Sequence, residues 1–243
     1  MKLISNLVML GFLPACSIVF LWWAVGAVVD GRTLSALIAV LFALAFAGFA
    51  SQWAVLRWSA RPRIESGPTG TTIRPRRLYD ALSMIWIGAA VCGALLYTAL
   101  VPSGLVEIPT FRNALPWMMI FVIVFGVPTL WRMIAHGGDC YLRLTPTTCE
   151  IWNGQWLSMR RARWNDIAEV RDQPLRRQLR GREVIALALP EGRSGTLLSD
   201  AITDDSDALR EWVRFYWLRP EHRAELTDGR AMRRLAGMSR TGD

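Results

Sequence analysis

Arginines are the residues of this chain with the clearest capacity for chemistry, because a guanidinium group binds phosphate or carboxylate oxygens in a fixed fork geometry. Two clusters of them follow predicted strands in the second half of the chain. Their members are Arg160, Arg161 and Arg163 in the first cluster, and Arg176, Arg177, Arg180 and Arg182 in the second. Near an anionic membrane each arginine contributes about 1 kcal/mol of attraction. We expect these loops to bind lipid phosphates or a partner; the alternative is a solvated face paired with Asp172 and Glu183.

A third basic segment extends from Arg57 to Asp80, a stretch of 24 residues. Its basic members are Arg57, Arg61, Arg63, Arg74, Arg76 and Arg77. Only Glu65 and Asp80 oppose them in charge. Because the segment separates two apolar stretches, we expect a basic loop that lies at the membrane surface.

Residues 136–140, with the sequence His-Gly-Gly-Asp-Cys, bring three reactive side chain types together. No set of nucleophile, base and orienting group can be assembled from them, and a hinge explains the two glycines. Signatures for phosphate loops, dinucleotide binding and metalloproteases are absent from the sequence. We therefore expect no enzyme activity and no cofactor.

The cysteines do not form a metal-binding or disulfide pattern. Cys16 and Cys92 lie in apolar segments, where a thiol behaves as a small hydrophobic group. Cys140 and Cys149 lie on predicted neighbouring strands, and no C-x-x-C or Cys/His spacing accompanies them. We expect no zinc site and no disulfide framework.

Four long apolar segments without interior charges must position these residues. They are residues 7–29, 34–56, 81–101 and 113–131. A helix needs roughly 20 apolar residues to cross the hydrocarbon core, so the chain is predicted to be an integral membrane protein with two helical hairpins. Ionisable groups within spans usually mark ion or proton paths. Their absence from these four segments argues against a pump or a proton-coupled transporter.

The distribution of arginine predicts the orientation of the spans. Residues 30–33 form a very short turn and residues 102–112 carry only Glu107 and Arg112, whereas the loop between the hairpins is strongly basic. The positive-inside rule therefore places that loop and both termini in the cytoplasm. The same rule, with attraction to anionic head groups, explains the net charge of +8 without invoking nucleic acid.

The amino-terminal segment Leu13-Pro14-Ala15-Cys16 resembles a lipoprotein processing site. However, the apolar run continues to Val29 without a polar tether after the cysteine. A signal peptide has an apolar region of about 7–15 residues, so we expect an uncleaved first span.

Small residues at four-residue spacing favour close helix packing in lipid. Such pairs are Gly11 with Ala15, Ala43 with Ala47, Gly88 with Cys92, and Ala89 with Gly93. We expect packing inside the four-helix bundle, and a homo-oligomer face is the alternative.

The chain after residue 139 alternates with the period of a β-strand. Strands are predicted at residues 140–145, 148–152, 155–159, 164–170, 182–189 and 195–198. Asn153-Gly154 predicts a tight type I′ turn. Asp204, Asp205 and Asp207 flank Ser206 at the start of an amphipathic helix that ends before Pro220, and residues 221–226 predict a further short helix. The predicted domains are 1–135, membrane helices; 136–226, a β domain; and 227–243, a flexible basic tail.

Residues 140–218 resemble a bacterial pleckstrin-homology-like (PH-like) domain. The resemblance is carried by short antiparallel strands, the Asn153-Gly154 hairpin, the Trp164-Asn165-Asp166-Ile167 step and the closing helix. It implies a small antiparallel β domain capped by an α-helix. The first hairpin lacks the lysine-based motif of phosphoinositide-binding members, so the resemblance implies the fold more than a ligand.

We therefore expect a four-span bundle that presents a PH-like domain for binding to a protein or to anionic lipids. Membrane lipids and a membrane or cytoplasmic protein are the expected partners. The alternative is an accessory subunit or assembly factor of a larger membrane complex. A small transporter or membrane enzyme ranks below both. Lys2 is the sole lysine among the 28 lysines and arginines, and such a preference for arginine is typical of a GC-rich genome. The expected location is the bacterial cytoplasmic membrane.

Overall fold

Four long helices form the first of two units of the chain. They are α1 (Lys2–Val29), α2 (Thr33–Trp58), α3 (Arg77–Leu100) and α4 (Leu115–His136). The computed structural model describes residues 2–58, 62–106, 114–154, 158–171, 184–190, 194–199 and 202–239. All four helices are long and apolar enough to cross a membrane, which confirms the predicted spans.

The turn between α1 and α2 is as short as predicted. Gly31 adopts a left-handed conformation with φ of 72°, which a side chain would disfavour. Arg32 N donates to the carbonyl of Ala27 at 2.7 Å, and Arg32 and Asp30 form an ion pair. These contacts fix the first helical hairpin.

Small residues pack the helices together at some of the predicted positions. Ala43 and Ala89 are buried, and a Cβ at Gly93 would lie 3.4 Å from Leu41 Cβ. A Cβ at Gly88 would meet nothing within 4 Å. Gly48, which the spacing did not single out, also makes a close approach, since a Cβ there would lie 2.9 Å from Trp86 Cβ. The backbones of α2 and α3 therefore approach closely around Gly48 and Gly93.

A neutral polar cluster joins α2 to α3. The Gln52 amide donates to the Ser83 hydroxyl and accepts a hydrogen bond of 2.5 Å from Trp86 Nε1. Gln52 and Ser83 are buried, so their polar atoms require partners. The cluster satisfies them without placing a charge in the span.

Among the described residues, the second unit contains eight antiparallel strands in two sheets. The five-stranded sheet has the order β1 (Arg63–Gly67), β2 (Gly70–Arg74), β3 (Cys140–Leu144), β4 (Thr148–Asn153) and β5 (Ser158–Arg163). The three-stranded sheet has the order β6 (Glu169–Arg171), β7 (Val184–Ala188) and β8 (Ser194–Leu198). Strand β8 packs against β3, β4 and β5, with Gly195 allowing the close approach.

The prediction of a basic loop between the helical hairpins is wrong for residues 63–74. These residues form the hairpin β1–β2, and Ile73 pairs with Leu142 of β3. Ile73 and Thr71 are fully buried, which holds the hairpin in the sheet despite its flanking arginines. The second unit comprises residues 58–77 and 138–243, so it is discontinuous and differs from the predicted boundaries.

The Asn153-Gly154 turn also differs from the prediction. Strands β4 and β5 do form a hairpin, but Asn153 pairs with Ser158 and not across a two-residue turn. Asn153 is buried, pairs with Cys140, and donates from Nδ2 to the Thr196 carbonyl at 3.3 Å. These bonds keep Asn153 in β4, and β5 is described from Ser158 onward.

Residues 164–170 form two elements where one strand is predicted. Residues Trp164–Asp166 form a short 3₁₀ helix, closed by a hydrogen bond from Ile167 N to the Trp164 carbonyl. Strand β6 then begins at Glu169. The buried Trp164 indole donates to the Thr145 carbonyl at 2.8 Å, which turns the chain away from the first sheet.

The closing helix is confirmed as α5 (Ser206–Leu218). Its amino-terminal cap is Asp205, whose carboxylate accepts a hydrogen bond of 2.9 Å from Ala208 N. Leu209, Trp212 and Tyr216 are fully or almost fully buried, so the apolar face of α5 completes the core.

The prediction of a flexible tail after residue 228 is wrong for the described part. A 3₁₀ helix (Pro220–Thr227) is followed by α6 (Arg230–Ser239). Ala231 is fully buried and Leu235 nearly so, and the Trp212 indole donates to the Ala231 carbonyl at 3.0 Å. These contacts bury one side of α6, which its arginine-rich sequence does not predict.

Candidate functional site

The first arginine cluster lies on β5, which is the edge strand of the five-stranded sheet. Side chains alternate between the two faces of a strand, so Arg161 and Arg163 share one face and Arg160 lies on the other. Arg160 Cβ lies against Gly195 of β8, on the face that packs inward. The structure therefore places two of these three predicted site residues on one face of β5 and the third on the other.

Arg161 and Arg163 line a cleft of about 860 Å³. Its walls are residues 146–148 of the β3–β4 turn, residues 161–166, and Arg223 from the 3₁₀ helix that follows α5. We call this the Trp164 cleft. Its volume lies in the range of small-ligand sites, which is roughly 300–1,000 Å³.

The floor of the Trp164 cleft is fixed by stacking and hydrogen bonds. The Arg223 guanidinium lies over the Trp164 ring, 5.0 Å from its centroid. Arg223 Nε donates to the Tyr216 carbonyl at 2.8 Å, and Nη2 donates to the Trp217 carbonyl at 3.0 Å. These carbonyls belong to the last turn of α5, where the helix leaves acceptors unpaired. Arg223 thus holds the end of α5 and the cleft floor together, and its burial lowers its pKa.

The turn that forms one wall of the cleft is held by a threonine side chain. The Thr145 hydroxyl accepts hydrogen bonds from Thr148 N at 2.8 Å and from Thr147 N at 3.3 Å. Trp164 N in turn donates to the Thr147 carbonyl at 3.4 Å. The wall and the floor are therefore connected and pre-formed.

The rim of the Trp164 cleft carries excess positive charge. Its lining holds three arginines and one aspartate, Asp166. Within the described residues, the exposed guanidiniums of Arg161 and Arg163 have neither an ion pair nor a hydrogen-bond partner. The nearest cross-strand carboxylate is Glu150, which pairs with Arg161 in register and accepts a hydrogen bond of 2.5 Å from the Tyr141 hydroxyl. Two such arginines on a rigid wall can bind an anion.

A buried charged cluster lies next to the cleft in sequence but serves a different purpose. Glu225 accepts hydrogen bonds of 2.9 and 2.8 Å from Arg234, and 3.2 Å from the Tyr216 hydroxyl. His222 Nδ1 lies 3.0 Å from the same carboxylate. The Arg234 hydrogen bond is the main reason that the pKa of Glu225 falls to about 2, against burial that raises it. Burial, reinforced by Glu225, raises the pKa of Tyr216 to about 12.

The other predicted arginines are not gathered at the cleft. Arg176, Arg177, Arg180 and Arg182 lie outside the described residues, as do their predicted partners Asp172 and Glu183. Arg61 also lies outside them. Arg57 is a residue of α2, but its side chain is not among the described parts of the structure.

Two arginines of the predicted membrane-surface loop belong to the β1–β2 hairpin. Arg63 forms an ion pair with Glu65 at 3.0 Å, and Arg74 lies 4.8 Å from the centroid of the Tyr141 ring. Arg76 and Arg77 are exposed at the start of α3. These arginines are therefore divided between a sheet edge and a helix terminus.

Residues 136–140 form a helix end and a strand start. Gly137 caps α4 in a left-handed conformation, and its N–H donates to the Ile134 carbonyl at 3.3 Å. Asp139 and Cys140 are buried, and the Asp139 carbonyl accepts a hydrogen bond of 2.6 Å from Gly154 N. The segment is thus a helix cap followed directly by the start of a strand.

The cysteines are separate from the cleft, and all four are free thiols. Cys140 and Cys149 lie in the sheet core, where burial raises the pKa of the Cys149 thiol. Throughout the described ranges, no three His, Cys, Asp or Glu side chains are grouped as metal ligands would be.

Sequence reasoning missed Trp164 and Arg223 as members of the site. Trp164 leads the Trp-Asn-Asp-Ile step, and that motif indicated a strand start and not a cleft floor. Arg223 lies about 60 residues from β5 in sequence, so no local pattern could connect them.

Comparison of the chain with protein-family models, curated proteins and solved structures finds no match.

Proposed function

We propose that this chain is a multi-pass protein of the bacterial cytoplasmic membrane that presents a PH-like unit to the cytoplasmic leaflet as an anion-binding module. The ligand we propose is the phosphate of an anionic lipid head group. Arg161 and Arg163, without protein partners in the described structure and aligned along the wall of the Trp164 cleft, are the observation that carries the proposal. Two antiparallel sheets closed by α5 support the PH-like assignment.

The proposed orientation rests on how the chain connects its elements. Along the chain, α1 connects to α2 and α3 connects to α4 within the helical unit, whereas the segments that follow α2 and α4 belong to the sheet unit. If the four helices cross the bilayer, the sheet unit and the amino terminus share a side. The arginines at that side support a cytoplasmic location for both, by the positive-inside rule.

The test of the anion site uses the full chain in detergent, because the sheet unit is interrupted by α3 and α4. We would titrate a short-chain phosphatidic acid, below its micelle concentration, by isothermal calorimetry at low and high salt. Binding should weaken as salt screens the charges. The double variant Arg161→Gln, Arg163→Gln should bind about 30-fold more weakly, since each arginine contributes about 1 kcal/mol near an anionic group.

Arg160→Gln is the control, because it removes one positive charge, as each substitution of the double variant does, from the same strand but on the other face. It should change the affinity less than twofold. Equal losses in the control and in the double variant would refute the cleft as the site. Failure of the wild-type chain to bind, together with a co-purifying protein that remains bound, would favour an accessory subunit of a membrane complex.

A further inference from the structure

Among the described residues that line the Trp164 cleft, Asp166 is the one acidic side chain. Within the described structure its carboxylate is exposed and makes neither an ion pair nor a hydrogen bond, although Arg161 and Arg163 line the same cleft. Opposite charges that share a cleft without pairing are all free to contact a ligand. The Trp164 cleft therefore offers a ligand two cationic donors and one charged acceptor.

The local backbone places Asp166 beside Arg163. Asp166 is the third residue after Arg163, and a 3₁₀ helix rises about 2 Å per residue, so the two positions are roughly 6 Å apart along the helix. Residues at this spacing lie on the same side of a 3₁₀ helix, in agreement with their shared place in the lining. Arg161 precedes Arg163 by two residues of β5, which is about 7 Å. The three charged groups therefore follow one another along one wall.

Buried neighbours fix the backbone that carries Asp166. Trp164 is 2% exposed, and its indole donates to the Thr145 carbonyl at 2.8 Å. Ile167 is 4% exposed, and its N–H donates to the Trp164 carbonyl at 3.3 Å. Asp166 lies between these two anchors, so its carboxylate is positioned although it is unpaired. A positioned group loses little conformational freedom when a ligand binds.

The charge of Asp166 favours one kind of phosphate ligand over another. A phosphomonoester such as phosphatidic acid carries more than one negative charge at neutral pH, and the carboxylate repels it. A phosphodiester carries a single negative charge, and hydroxyl groups on its head group can donate to a carboxylate in a charge-assisted hydrogen bond. The other polar side chains beside Asp166 in the lining, Asn165, Thr147 and Thr148, are neutral and suit further hydroxyl groups.

We propose that the Trp164 cleft selects a phosphodiester head group that bears hydroxyl groups, as phosphatidylglycerol does. The phosphate binds to Arg161 and Arg163, and a head-group hydroxyl donates to Asp166. This inference rests on the proposed function, because it requires that the cleft binds a lipid phosphate, and it adds the residue that determines specificity. A protein separates two ligands by placing a like charge against one and a matched partner against the other. Asp166 does both.

The test compares short-chain phosphatidylglycerol with short-chain phosphatidic acid, in separate calorimetric titrations of the full chain in detergent. Asp166→Ala removes both the charge and the acceptor. The affinity for phosphatidic acid should rise about fivefold, because one repelling charge is lost. The affinity for phosphatidylglycerol should fall about fivefold, because the lost hydrogen bond to a charged group outweighs the lost repulsion. Asp204→Ala removes the same charge from an exposed position outside the lining and should change both affinities less than twofold.

Opposite changes for the two lipids in Asp166→Ala would support the proposal, since a general effect of charge would raise both affinities. A rise, or no change, in the affinity for phosphatidylglycerol would overturn the role of Asp166. Binding of phosphatidic acid by the same variant shows that the variant is folded. If the wild-type chain binds neither lipid, or if Arg161→Gln, Arg163→Gln binds both as well as the wild-type chain does, the proposed function itself fails.

A further titration with glycerophosphoglycerol, the deacylated head group, separates a lipid from a soluble ligand. This compound should bind more weakly than phosphatidylglycerol, whose acyl chains enter the detergent around the chain and raise its local concentration. Tighter binding of the deacylated compound would overturn the lipid as the source of the head group.

Discussion

Two groups of arginines in the sheet unit use the same side chain in opposite ways. Arg234 makes two parallel hydrogen bonds to Glu225 and lies 4.1 Å from the centroid of the Phe215 ring. Arg161 and Arg163 are exposed on an edge strand, with no ion pair among the described residues. In this comparison the position of an arginine, and not the density of arginines, separates a structural role from the proposed binding role. Substitution should therefore separate stability from affinity.

Loss of the Glu225 carboxylate should have the largest effect. Glu225→Ala leaves Arg234 without its partner and Tyr216 without its acceptor. We expect the free energy of unfolding to fall by about 3 kcal/mol, because breaking a largely buried pair strands the remaining charge. That loss corresponds to a thermal midpoint lower by about 10 °C. Circular dichroism of the full chain in detergent measures it, with the exposed Glu221→Ala as the control; similar midpoints for both would contradict the structural role.

Acid should weaken the same cluster. The pKa of Glu225 falls from 4.5 to about 2 on folding, mainly through Arg234, so the folded state favours the carboxylate. Its contribution is complete above the unfolded pKa and is lost as the pH falls through 4.5 toward 2; the full contribution is about 3 kcal/mol. Thermal midpoints measured between pH 6 and pH 3 should fall less steeply for Glu225→Gln than for the wild-type chain. Parallel curves would contradict this assignment.

Arg223 holds the end of α5 and also lines the Trp164 cleft, so its substitution should have an intermediate effect on stability. Arg223→Gln removes two charged hydrogen bonds to the end of α5 and the contact with the Trp164 ring. We expect stability to fall by about 2 kcal/mol, since hydrogen bonds to charged groups are worth roughly 1.5–3 kcal/mol. Hydrogen exchange should locate the change at the last turn of α5. Unchanged protection there would show that Arg223 does not hold the helix end.

Arg161 should show the smallest effect on the fold and a clear effect on binding. Arg161→Gln should weaken phosphatidic acid binding about fivefold, which is the value of a single arginine near an anionic group. Its free energy of unfolding should stay within about 0.5 kcal/mol of the wild-type value, as for most surface substitutions. Calorimetry and thermal unfolding of the same sample provide both values. A stability loss as large as that of Arg223→Gln would erase the distinction between the two groups.

Elements with a strong local sequence pattern were predicted from the sequence. The four helices follow from long uncharged apolar runs, and α5 follows from its acidic start and the spacing of Leu209, Trp212 and Tyr216. Strands β3, β4, β7 and β8 follow from alternation or from short apolar runs. In each case the segment carries enough apolar surface to specify its own structure.

Elements whose stability depends on residues distant in sequence were not predicted. The β1–β2 hairpin holds few apolar residues and becomes buried only when Ile73 meets Leu142. Helix α6 is rich in arginine, and its stability comes from Glu225 and Trp212 in earlier elements. At the site, strand period separates Arg160 from Arg161, but only the folded chain brings Arg223 to the Trp164 ring.

The place of the β1–β2 hairpin in the chain also bears on the order in which the protein is made. Ile73 and its partner Leu142 are 69 positions apart, and the whole α3–α4 hairpin is synthesised between them. While that hairpin is entering the bilayer, the nascent β2 has one unpaired edge, which is an aggregation hazard. The sheet can close only after the last span has been delivered to the membrane. Completion of the sheet unit therefore requires residues that are synthesised both before and after the α3–α4 hairpin.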